Sequence, residues 1–346
     1  MTPQPEVSPV EQVARRMNAW VRGDAGAGRT IVTENPGSLA WLADPATGLV
    51  DDTTVVVSAG PRRQSVELPD APGLWVRAIG AVAAPGDDLA LGSDFYLETL
   101  SYAELPAQGV AGPTAVRLTT AADALLLAAD ASAAAESGLL PPALLNPSVE
   151  LADQCAVVGD PTCGGRRLER LAIDRDGVVR AAPGGRPLGR AGDDPAALAA
   201  AAAGDDPCVA PEVRDALATV DGTALAHLVS ALRVVRRLSR SQPSAWRVVA
   251  GDTALLEPAR SRPVRPDRLL LTDGAGYVVS DGWGERAFRV SRGVAEVVEA
   301  VLATATADEA AALVRAHGTA SASADDIERF VESCRARGMD LARADA

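Results

Sequence analysis

RLLLTDGAGYVVSDGWGERAFRVS, residues 268–291, runs directly into RGVAEVVEAV, residues 292–301, and this junction decides how the chain is read. Three short β-rich runs are separated by tight-turn sequence. Leu269–Leu271 precedes DGAG, Tyr277–Val279 precedes DGWG (Asp281–Gly284), and Arg286–Val290 forms the third. In that third run the two-residue period turns Arg286, Phe288 and Val290 one way and Ala287 and Arg289 the other. A meander of this kind leaves edges, and the free N–H and C=O groups of an edge strand can pair with another extended chain.

Three helices are expected downstream. Arg292–Ala303 carries Val294, Val297, Val298, Val301 and Leu302; Asp308–Ala316 carries Ala311, Leu313 and Val314 and stops at Gly318. The last opens with Ser323 as N-cap and Asp325 and Asp326 in its first turn. Its apolar stripe is Ile327, Phe330, Val331 and Cys334, so Cys334 reads as a small core residue, and Arg337-Gly338 ends the helix. Three strands followed by three helices predict a winged-helix-like domain over 268–346. PARSRPVRPD, residues 258–267, reads as a linker.

Residues 1–257 predict a mixed α/β domain. Residues 1–7 read as a frayed tail. Ser8-Pro9-Val10-Glu11 caps a helix that ends at Gly23. GDAGAGRT, residues 23–30, superficially fits a phosphate loop, but a helix precedes it, a strand follows, and Arg29 replaces the lysine; it reads as a connection. Thr53–Ser58, Leu74–Ala84 and Ala115–Thr119 read as strands, with a helix capped by Thr120 running to Ser137. Asp176-Gly177 turns a hairpin within Leu168–Ala182. Gly189–Ala210, rich in Ala, Gly, Asp and Pro, reads as a mobile surface segment. A helix after Asp221-Gly222 stripes Leu225, Leu228, Val229, Leu232, Val235 and Leu238, with Arg233, Arg236, Arg237 and Arg240 off the stripe.

Composition narrows the chemistry. All 33 basic residues are Arg, which removes the Schiff-base lysine of usual pyridoxal-phosphate chemistry and the Walker lysine. A net charge of −13 argues against a general nucleic-acid role. No signal-like or membrane-spanning run is present, so a cytoplasmic chain with reduced thiols and no membrane association is expected. Cys155, Cys163 and Cys208 lack short paired spacings and read as ordinary thiols; a disulfide or a contribution to a metal site is the weaker alternative. His227 reads as a core-edge residue and His317 as a helix C-terminal one. With no nucleophile elbow, zincin or kinase motif, no catalytic residue, metal or cofactor is expected.

The Y-x-V strand, the R-x-F-R-V-S strand entering GVAEVVEAV, and the later DDIERFVESCRARGMDL together resemble the PqqD-like RiPP recognition element. That domain binds leader peptides of ribosomally synthesised, post-translationally modified peptides. The resemblance covers about 80 residues, with motifs of residue type and order. It implies a non-catalytic recognition protein that holds a precursor leader and presents the core to separate modifying enzymes. The implied contacts are Arg286, Ala287, Phe288, Arg289 and Val290 on the third strand, with Asp326, Arg329, Phe330, Ser333 and Arg337 on the third helix. The combination with a large N-terminal domain is similar to the recognition proteins of daptide-type biosynthesis. The competing expectations are a winged-helix transcription regulator and an enzyme whose first domain carries unrecognised chemistry.

Overall fold

The computed structural model describes residues 8–63, 66–93, 95–108, 110, 112–160, 163–204, 206–238, 245–260, 265, 267–281 and 286–341. The tail at 1–7, linker residues 261–264 and 266, Arg240 and turn residues 282–284 lie outside them. The architecture is mixed α/β. Two compact units divide the chain: Met1–Leu126 with Ser148–Val220, and Leu127–Pro147 with Asp221–Ala346. The division differs from the expected boundary at 258–267. Val249, Leu255, Leu256 and Ala259 pack into the cores of the C-terminal elements, which ties the preceding stretch to the second unit.

In chain order the first unit brings α1 (Pro9–Arg22), β1 (Thr30–Thr33), α2 (Leu39–Ala43), β2 (Val55–Gly60), β3 (Leu74–Gly80), β4 (Asp88–Leu91), β5 (Phe95–Ser101) and β6 (Thr114–Arg117). After α3 (Ala121–Ser137), which crosses the division, come β7 (Val149–Leu151), α4 (Gln154–Val157), β8 (Arg170–Ile173), β9 (Val178–Arg180), β10 (Pro187–Arg190), α5 (Pro195–Ala202) and α6 (Pro211–Leu217). Local chemistry sets several boundaries. Ser8 Oγ accepts the Glu11 N–H at 3.2 Å, and Gly23, at φ 80°, closes α1 in the left-handed conformation that glycine adopts without strain. Thr120 Oγ1 accepts the Asp123 N–H at 3.2 Å and starts α3.

The ten strands form one mostly parallel sheet in the order β10-β9-β8-β1-β2-β3-β4-β5-β6-β7. β8, β1, β2 and β3 run parallel, as do β5, β6 and β7; β4 and β9 are antiparallel to their neighbours. β1 and β2 are buried along nearly their whole length, which explains their continuous apolar sequence. Residues including Val32, Val57, Ala78, Leu89, Leu97, Ala115 and Ala172 form one core cluster with Val13, Met17, Trp20 and Val21 of α1. One helix stripe therefore reaches seven strands, so the sheet curls over α1. At one end Asp153, just beyond β7, pairs with Arg170 of β8, although six strands, β1 to β6, separate them in the ladder.

Two readings of this unit meet the structure differently. GDAGAGRT is a connection: Arg29 donates to the carbonyls of Leu168 (3.0 Å), Gly48 (2.8 Å) and Leu49 (2.7 Å), pinning the loop to its neighbours. The mobile segment expected at 189–210 is corrected. It contains the end of β10 and all of α5, with Leu198, Ala202 and Cys208 buried. Asp194 accepts the Ala196 N–H at 3.0 Å and Pro195 fills the first helical position, so the alanine run is a capped helix.

The second unit contains α7 (Gly222–Leu238), β11 (Arg247–Val248), β12 (Arg268–Thr272), β13 (Tyr277–Asp281), β14 (Ala287–Val290), α8 (Arg292–Ala303), α9 (Ala307–His317) and α10 (Ala324–Ala336). The strands form an antiparallel sheet in the order β11-β12-β13-β14, so the expected three strands gain a fourth on the side away from β14. Leu270, Val279, Ala295, Val298, Met339 and Leu341 form its core against α8, with Phe330 and Cys334 of α10 packed at the margin. Ser291, Thr306 and Ser323 cap the three helices, the last two in reciprocal capping boxes.

Candidate functional site

Two features concentrate chemistry, one in each unit. In the second unit, β14 pairs with β13 and is the terminal strand of its sheet among the described residues. Register places Phe288 opposite Val279, on the core-facing side, yet Phe288 is 38% exposed because no further strand covers it. Arg286, Ala287 and Arg289 are exposed, and Val290 is half-buried on the margin of the core. Asp281 donates its N–H to the Arg286 carbonyl at 3.1 Å. Antiparallel alternation from that pair sends the backbone groups of Ala287 and Arg289 outward, away from β13.

Helix α10 lies near the start of this strand, because the Arg286 guanidinium donates to the Gly338 carbonyl just beyond the helix. Of the helix residues implied by the resemblance, Asp326, Arg329, Ser333 and Arg337 are exposed and Phe330 is half-buried, packed with Val290 and Cys334 against the same core. Arg329 pairs with Asp326 on the helix surface. Burial raises the Cys334 thiol, as suits a core residue. A cavity of about 430 Å³ also flanks α10, but on another side, lined by Glu328, Val331, Glu332 and Arg335 with the α8–α9 connection. Asp325, Asp326, Glu328 and Glu332 are all exposed on α10, a poor surface for phosphate contacts.

His227, also in this unit, is buried, and burial pushes its pKa down to about 4, so it is neutral near pH 7. It lines a small cavity with Arg265, Arg268 and Glu299. Burial likewise raises Glu299, to about 7, while its carboxylate accepts the N–H groups of Leu255 (3.0 Å) and Leu256 (2.7 Å). Those bonds give Glu299 a structural task, holding the β11–β12 connection to α8.

The first unit holds the cluster that sequence reasoning missed. Asp153, fully buried and at φ 53°, pairs with Arg170 Nη1 at 2.7 Å and Arg117 Nε at 3.3 Å. The left-handed backbone is uncommon for a non-glycine residue, although Asp tolerates it better than most. Arg170 also donates to the Val21 carbonyl at 3.1 Å and stacks 5.1 Å from the Trp20 ring centroid. Arg117 Nη1 and Arg170 Nε have no hydrogen-bond partner among the described residues.

Beside them lie Cys155, Cys163 and Cys208, all buried, with their sulfurs within 4.8 Å of one another. The thiols of Cys155 and Cys208 hold Cys163 well below the ordinary thiol range; burial opposes this, and the backbone N–H groups of Arg166 and Gly165 reinforce it. Cys155 moves up in return, through its bonds to Cys163 and Cys208 and its burial. The reading of three unrelated thiols therefore misses their convergence. Separately, a cavity of about 300 Å³ opens at the C-terminal ends of β1 and β8, bordered by Glu34, Asp174, Arg180 and Gly184.

Comparison with family models, curated proteins and solved structures finds no match for this chain.

Proposed function

We propose that the chain is a peptide-recognition protein that binds an extended segment along β14, beside α10. The observation that carries this reading is the open strand edge: outward backbone groups at Ala287 and Arg289 next to a core-facing but exposed Phe288. An added strand would pair with those groups and cover Phe288, while Val290, Phe330 and Cys334 offer an apolar rim. Arg289 and Arg337, both exposed, favour acidic side chains in the ligand. The resemblance to the PqqD-like recognition element gives the ligand class, the leader of a ribosomally made precursor, and gives its modifying enzymes as further partners. The daptide-type assignment belongs to the same reading.

The test is fluorescence polarisation of the full chain with a labelled precursor leader and with the same residues scrambled. Saturable binding of the leader and loss of affinity in Phe288→Asp, with circular dichroism showing an intact fold, are expected. Equal binding of both peptides, or an unchanged affinity in a folded Phe288→Asp variant, overturns the reading.

A further inference from the structure

Two neighbouring segments and a third 45 residues further on each deliver one sulfur to a single buried point in the first unit. Cys155 comes from α4, Cys163 from the loop before β8, and Cys208 from the connection between α5 and α6. Cys163 and Cys208 Sγ are 3.8 Å apart, and all three sulfurs lie within 4.8 Å of one another. Zinc–thiolate bonds of about 2.3 Å in tetrahedral array place sulfurs about 3.8 Å apart. A disulfide needs sulfurs about 2.05 Å apart and leaves the third over. A [4Fe–4S] cluster puts each cysteine on a different iron, and a [2Fe–2S] cluster puts only two on one iron, so neither gathers three sulfurs as closely as one shared ion does.

The walls of this point are cleared by glycine. A Cβ at Gly23 would come within 2.7 Å of Cys155 Sγ, and one at Gly165 within 2.5 Å of Cys208 Sγ.

Charge bookkeeping gives an independent argument. Buried Arg117 and Arg170 both pair with Asp153, so two guanidiniums face one carboxylate and one positive charge is left over. Arg170 Nη1 and Cys155 Sγ flank the same point beside Gly23. A divalent ion held by three thiolates carries one net negative charge and balances the cluster, whereas three neutral thiols do not.

We propose that Cys155, Cys163 and Cys208 bind one zinc ion as thiolates, with water or another small exogenous ligand in the fourth position. Among the described residues the cluster contains no fourth His, Cys, Asp or Glu, so this position is exchangeable.

The full chain, purified under reducing conditions, is stripped with a chelator and titrated with zinc or cobalt(II). About one ion per chain is expected by elemental analysis, and the cobalt form is expected to show sulfur-to-metal charge transfer and tetrahedral visible bands. Cys155→Ser, Cys163→Ser and Cys208→Ser should each lose that ion, and Cys334→Ser should keep it. Should the serine variants fail to fold, alkylation of the unmutated chain decides. The three cluster cysteines should react only after chelation, and protection that the chelator leaves unchanged marks burial alone and overturns the proposal. A reduced, folded chain that takes up neither ion overturns it, as does zinc retained by the Cys163→Ser/Cys208→Ser double variant. So does an intact mass two hydrogens low without metal, which marks a disulfide.

Discussion

In the ten-stranded sheet the β7 side curls round until Asp153 meets Arg170 of β8, whereas in the four-stranded sheet β14 ends with its main chain facing outward. The same strand physics is resolved in opposite ways. The first sheet gathers its apolar residues over α1 and places its strongest charges inside, where they are held by pairing. The second exposes Arg286 and Arg289 at its last strand, buries Glu296 and Glu299 on α8, and leaves an inward-facing aromatic partly exposed at its edge. A closed interior suits stability, and an incomplete edge suits recognition.

The largest expected effect breaks the closed side. Asp153→Asn keeps a residue tolerant of the left-handed backbone but removes the charge between two buried guanidiniums, and should cost about 3–5 kcal/mol. Urea denaturation followed by circular dichroism measures it. A loss below about 1 kcal/mol, the range of a surface pair, would show that water reaches the cluster.

The second prediction contrasts two carboxylates on α8, in the open-edged unit. Burial tends to raise Glu296, but hydrogen bonds from Thr319 and Ala320 and from Arg292 outweigh it, so its pKa lies below the ordinary 4.5. Its stabilisation is present above that value and is lost as pH falls through the lower folded value. Glu299 has the opposite sign. Its folded pKa of about 7 lies above the ordinary 4.5, so its contribution is full below 4.5 and is lost as pH rises through 7. Denaturant melts should therefore show a maximum near pH ~4.5. Glu299→Gln should flatten the decline above it, and Glu296→Gln should lower the maximum by about 2 kcal/mol. A monotonic profile counts against both assignments.

A third substitution sharpens the edge itself. Ala287→Pro removes an outward N–H without touching the ladder to β13, and should weaken peptide binding about tenfold, or about 1.4 kcal/mol, with melting unchanged. Full affinity in this variant would detach recognition from main-chain pairing. The smallest effect concerns α10. Ser323→Ala removes the side-chain acceptor for the Asp326 N–H (3.2 Å) and should cost about 1 kcal/mol in the same melts.

Legibility in sequence followed the range of the interactions. The elements from Arg268 to Ala336 were readable because their signals are local: DGAG between β12 and β13, Ser323 before Asp325-Asp326, Gly318 after α9. α5 carried an equally local signal, Asp194-Pro195, that its alanine composition obscured. The strand order of the first unit was not readable, since β1 pairs with β8 across some 140 residues of intervening chain. The sulfur cluster was hidden for the same reason: Cys155 and Cys208 meet only once β7, β8 and the α5–α6 connection are in place. β11, two residues long, offers no periodicity to detect.

The position of α1 bears on how the protein is made. Trp20 donates its indole N–H to the Leu171 carbonyl, 151 residues later, at 3.1 Å. At ribosomal speeds the strand that completes this contact emerges about 8–30 s after the helix does. For that interval the stripe of Val13, Met17 and Trp20 lacks β8 to complete its cover, so the nascent chain presents a partly covered apolar helix to chaperones. The α1 indole thus waits on a partner made 151 residues after it.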